Sequence, residues 1–200
     1  MTETISAPTT KVEIISQAAM LCGKQTFNSL ASGGAFAQDG EVVFNSLVSA
    51  ELGSNRWRFA MAFQAMGTLT TLTPSFDGWL YYWNMPSEAI MFFRIYPAVD
   101  YVVFGKQVLT KSNQSLTAIY SKTVPVSEWP PAFSWYITYA IASVLGMSVT
   151  NSDRMLARIQ SGLELWHSRA LFADGQNSKA RPIQSNPYVD VRSQFRNRGR

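Results

Sequence analysis

Charged side chains are scarce in this chain. They make up 15% of its 200 residues, against roughly 25% in an ordinary soluble domain, so the surface is poor in the groups that keep a monomer in solution. That points to surface meant for burial against partners. Cysteine occurs once, at Cys22, which excludes an intramolecular disulfide and any multi-cysteine zinc site and suits assembly in a reducing cytoplasm. Histidine also occurs once, at His167, so a histidine cluster for a metal and a two-histidine mechanism are both excluded. The phosphate-binding and nucleophile-elbow patterns G-x-x-x-x-G-K-[ST], G-x-G-x-x-G and G-x-S-x-G are missing, and Gly33-Gly34 reads as a turn. Met1 to Lys11 is polar, without the basic start and apolar stretch of a signal peptide, which predicts a chain that is not exported.

Little catalytic chemistry is left. A Cys22–His167 nucleophile pair stays open at this level, because such partners meet only in the fold. Yet Cys22 falls on an apolar helical face, where a small buried hydrophobe is the common case. Of the 13 acids, Glu41, Asp77, Glu88, Asp100 and Glu128 lie at turns or helix starts, where capping and the helix dipole already account for them. The expectation is a protein that is not an enzyme, with no catalytic residue, no metal and no cofactor.

What the chain does have is apolar and aromatic matter, 46% and 13%, enough for a real core. Ile14, Ile15, Ala18, Ala19, Leu21 and Cys22 fall at helical spacing, and Gly23 follows where a C-cap glycine sits. Asp39 then reads as the N-cap of a second helix with Val43, Phe44, Leu47, Val48 and Leu52 on one face, ending near Trp57. After Phe59 the pattern changes to short β-branched, aromatic or alternating runs, 68–73, 78–86, 90–95, 101–104, 107–110 and 116–120, broken by Pro74, Pro97, Gly105 and Ser112-Asn113. Ser127-Glu128-Trp129-Pro130-Pro131 opens a third helix running to about Val149. Asn151-Ser152-Asp153 caps a fourth, whose stripe is Met155, Leu156, Ile159, Leu163, Trp166 and Leu171.

The predicted fold class is therefore α+β, mainly α: a four-helix bundle with an inserted antiparallel β-module and an extended C-terminal arm. The divisions are a flexible N-terminus over 1–11, the bundle over 12–59 and 126–175, the β-module over 60–125, and a basic arm over 176–200.

Three segments invite a functional reading. Residues 176–200 carry Lys179, Arg181, Arg192, Arg196, Arg198 and Arg200 against Asp190, a net +5, which leaves −1 for the preceding 175 residues within the total of +4. Phosphate contacts from these bases, with Tyr188 and Phe195 stacking on nucleobases, would make the arm a nucleic-acid binder. The favoured alternative is docking on an acidic protein surface with Ile183, Pro187, Tyr188 and Val189 as apolar anchors, because the rest of the chain is net negative. In 79–83, the aromatics Trp79, Tyr81, Tyr82 and Trp83 point to opposite faces of one strand, so one set needs cover from elsewhere and marks an interface. Residues 131–150 contain no charge and are long enough to span a bilayer, but Ser134, Thr138, Ser143 and Ser148 interrupt them, and a helix buried on most sides fits the same pattern.

The order of these features resembles the tail tubular protein A family, the head-to-tail adaptors (connectors) of short-tailed, podovirus-type bacteriophages. The resemblance rests on Leu21-Cys22-Gly23, Asn55-Arg56-Trp57-Arg58-Phe59, Asn84-Met85-Pro86-Ser87-Glu88, Glu128-Trp129-Pro130-Pro131-Ala132-Phe133, and the ending with Arg181-Pro182 and Pro187-Tyr188-Val189-Asp190-Val191-Arg192. It spans residues 12–192. The turn after Gly23 departs from it, with Lys24-Gln25-Thr26 where prolines are common.

The resemblance implies a virion protein of the tail at the portal vertex, assembled in the host cytoplasm as a ring of typically twelve copies. The bundle would face the portal protein, and the β-module would face the tail nozzle and the tail fibres. Genomic DNA would pass through the channel on ejection without its sequence being read. The implied portal-binding arm comprises Arg181, Pro182, Ile183, Pro187, Tyr188, Val189, Arg192, Phe195 and Arg196, and Trp79, Tyr81, Tyr82 and Trp83 are the expected nozzle, fibre or subunit contacts. The competing expectations are a membrane-associated protein using 131–150 and a small nucleic-acid-binding protein using the arm.

Overall fold

The computed structural model describes residues 6–150 and 152–176. Helix α1 (Lys11–Leu21) begins at a capping box: the Thr10 side chain accepts the Glu13 N–H while the Glu13 carboxylate reaches back to the Thr10 backbone. It ends where Gly23 adopts φ 73°, with Gly23 N–H on the Met20 carbonyl and Lys24 N–H on that of Ala19, a Schellman closure that needs the glycine. Helix α2 (Gly34–Ser54) starts five residues before the expected Asp39, directly after a short 3-10 turn at Leu30–Ser32 held by Ser29. Helix α3 (Pro131–Val149) has proline in its first turn, and α4 (Asp153–Gln176) starts where the Ser152 hydroxyl accepts the Met155 N–H at 3.4 Å.

Between α2 and α3 lie seven strands: β1 (Met61–Ala65), β2 (Thr70–Phe76), β3 (Trp79–Asn84), β4 (Ala89–Tyr96), β5 (Tyr101–Phe104), β6 (Gln107–Thr110) and β7 (Thr117–Lys122). They form two antiparallel sheets, ordered β1-β7-β4 and β2-β3-β6-β5. Their shared core is Met66, Trp83, Ile95, Val108, Leu116, Ala118 and Tyr120. Tyr120 ties the first sheet together, its hydroxyl donating to Glu88 at 2.5 Å with the Gln64 side-chain amide 3.1 Å away; burial first, then Glu88, pushes its pKa up to about 12.

A mainly α four-helix bundle with a small β insert is not what forms. Four helices and two antiparallel sheets, 50% helix and 23% strand, make a mixed fold. The physical reason is twofold. The β segment buries a core of its own between two sheets, so it is a packed layer structure and no appendage of the helices. The helices, in turn, are not four equal staves: α3 is the central element, with α4 along one side and α1 and α2 against the other. Phe44 of α2 stacks on Trp129 just before α3 (5.8 Å), while Trp57 beyond the end of α2 meets Phe133 at 4.8 Å. Trp129, Phe133 and Phe59 complete that aromatic cluster, with Phe59 and Trp129 at 4.8 and 4.9 Å from Phe133.

Candidate functional site

Two kinds of surface stand out from the residues upward: exposed apolar side chains on the β-module, and a groove on the helical layer. Strand β3 positions the expected aromatic contacts. Its register sets Tyr81 opposite Thr110 and Trp83 opposite Val108 on one face, and both partners on β6 are fully buried. Trp83 is only 5% exposed and belongs to the module's own core. Trp79, Tyr81 and Tyr82 are half-buried, and Lys111 covers the Trp79 ring at 5.1 Å. The outward residue of the run is Leu80.

The larger exposed side chains lie outside the aromatic run of β3. Phe63 on edge strand β1 is 82% exposed, and Tyr96 at the end of edge strand β4 is 70% exposed. Ile90 and Met91 on β4 are also exposed. Strand β1 leaves little strand signal in the sequence, because Met61-Ala62-Phe63-Gln64-Ala65 carries no β-branched residue. Its partner β7 places it in register from Met61 opposite Ser121 to Ala65 opposite Thr117.

On the helical layer, Leu47 of α2, Tyr136, Ala140, Ser143 and Val144 of α3, and Gln160, Leu163, Glu164 and His167 of α4 line a groove of about 330 Å³. Glu51, one turn beyond Leu47, bonds the Tyr136 hydroxyl, and burial with that carboxylate pushes the tyrosine's pKa up. His167 lies against the Tyr136 ring at 4.8 Å. A second hollow of about 600 Å³ opens between α1, α3 and α4, with Met20, Leu21 and Tyr139 on one side and Arg154 and Arg158 on the other.

The structure does not bring Cys22 and His167 together. The Cys22 thiol donates to the Ala142 carbonyl at 3.5 Å and packs near Gly146, about two to three turns of α3 away from the Tyr136 that His167 contacts. Burial pushes its pKa up, the opposite of an activated thiolate. Among the described residues no group of three or more His, Cys, Asp or Glu could hold a metal ion.

Helix α3 is long and apolar enough to cross a membrane by length and composition. Phe133, Ile137, Ile141 and Leu145 spend that character on the helical core. The arm residues Arg181, Pro182, Ile183, Pro187, Tyr188, Val189, Arg192, Phe195 and Arg196 lie outside the described residues. No protein-family model matches the chain, and no curated protein matches it in sequence.

Proposed function

We propose that the chain is a structural, non-catalytic virion subunit, a head-to-tail adaptor that closes into a ring between the portal protein and the tail nozzle. The observation that carries this reading is the distribution of apolar surface. Phe63 and Tyr96 stand out from the β-module, Met147 and Phe172 from the helical layer, and Lys11–Glu41 is the one ion pair among the described residues. A closed ring needs two different, mutually complementary faces on each subunit, and a surface with few charges and apolar side chains on separate elements can supply both. The module's edge strands and the net +5 arm then leave contacts over for a nozzle or fibre protein on one side and the portal on the other.

The packing of α3 gives an ordinary reason for its apolar sequence, so the membrane alternative draws no separate support from it. The mechanism is mechanical: weak contacts are multiplied by ring closure, and DNA passes through the finished channel. Deleting residues 176–200 tests the arm's part in this. The expected result is a folded protein that no longer co-sediments with portal complexes; undiminished co-sedimentation contradicts it.

A further inference from the structure

We infer that the groove between α2, α3 and α4 is the resting seat of this chain's own basic segment, residues 177–200, which vacates it when the chain joins its assembly partner. The groove is apolar along its floor through Leu47, Ala140, Val144 and Leu163, and no lysine or arginine lines it. The acidic side chain in its lining is Glu164 of α4, one turn before His167; Glu51, a turn beyond Leu47 on α2, bonds the Tyr136 hydroxyl. Exposed Met147, one turn beyond Ser143, and exposed Leu171, one turn beyond His167, extend the apolar strip at both ends. An apolar channel with a carboxylate on its α4 wall and no basic lining residue matches a segment in which Arg181 precedes, and Arg192 and Arg196 follow, the apolar Ile183, Pro187, Tyr188 and Val189.

Reach favours the chain's own segment as the occupant. Glu164 lies 12 residues before Gln176 on the same helix, about 18 Å back along it. The seven residues 177–183 span up to about 24 Å when extended, so Arg181 and Ile183 can reach Glu164 within one chain. A tether this short gives an effective concentration on the order of millimolar, so weak contacts suffice to fill the groove. The purpose assigned to the release rests on the adaptor reading; occupation of the groove does not.

Disulfide trapping in the full-length chain tests it. Ser143→Cys combined with Gln184→Cys should give, on mild oxidation, a linked monomer seen by intact mass and non-reducing gel. Glu164→Lys should lower its yield about tenfold, as should raising the salt to about 1 M, where the Debye length falls to about 3 Å. Gln184→Cys paired with Ser49→Cys, on the exposed side of α2, should stay unlinked. Overturning results are free thiols in the Ser143 pair, equal linkage to Ser49, or links solely between different chains, which would make the groove a contact between copies. A chain that links as expected yet ignores portal complexes contradicts only the adaptor reading; one that joins portal and never links contradicts only the groove.

Discussion

Asp174 fastens the end of α4 to the turn that leads out of the helical layer. It sits in the last turn of α4, nearly buried, and accepts the backbone N–H of Arg58 at 2.8 Å and that of Phe59, capping the 3-10 turn that leads into β1. Burial raises its pKa against the lowering effect of those donors. A carboxyl raised in the folded state stabilises the fold in its protonated form, fully below its ordinary range and progressively less as pH rises through the raised value. Asp174→Asn keeps an acceptor and removes the charge, so it should melt no lower than wild type at pH 7, and any advantage should vanish as the pH falls toward 4. Asp174→Ala loses the acceptor and should cost about 1–2 kcal/mol at either pH. Calorimetry at the two pH values checks both. Nothing in the sequence marked this residue, since a helix-ending Asp174-Gly175 looks like a terminator and its partner lies 116 positions away. Trp83 was visible as an aromatic but not as a core residue, because which face of a strand is covered depends on the second sheet.

At the scale of elements, the signals that are local in chemistry were legible. The spacing of Ile14, Ile15, Ala18 and Ala19 with Gly23 behind them defines α1 to within a residue, because side-chain spacing, capping box and left-handed glycine all act within a few residues. The start of α2 was misplaced at Asp39 because its first turns are set by Gly33 and the preceding 3-10 turn, and no side chain caps it. Contacts between elements were not legible, and Gly40 shows why. An added Cβ there would lie 2.4 Å from Ile15 Cγ2, and Ile15 is fully buried in α1. In an exposed helix, Gly to Ala gains about 1 kcal/mol. Here Gly40→Ala should instead destabilise by about 1–3 kcal/mol through overpacking, and Ile15→Ala in the same chain should recover part of that loss. A double-mutant cycle by urea denaturation measures the coupling; additive losses would contradict the close α1–α2 approach.

For the whole molecule, the alternation of helical and extended segments was readable, while the architecture was not. Four amphipathic stretches satisfy a bundle equally well on paper. What decides against it is that α3 is lined on both sides and the seven strands close over their own core, consequences of long-range pairing such as β1 with β7, where Ala62 pairs with Tyr120. The candidate surfaces divide in the same way. The basic arm was evident from composition, whereas Phe63, Tyr96 and the α2–α3–α4 groove emerged only once neighbouring strands and helices were in place. Charge scarcity and exposed apolar side chains together make self-assembly the central claim. Its most direct test is the mass of the purified protein in solution, alone and then mixed with portal complexes. The account predicts a 22.3 kDa monomer that joins portal as a closed ring of many copies; a monomer indifferent to portal would contradict it.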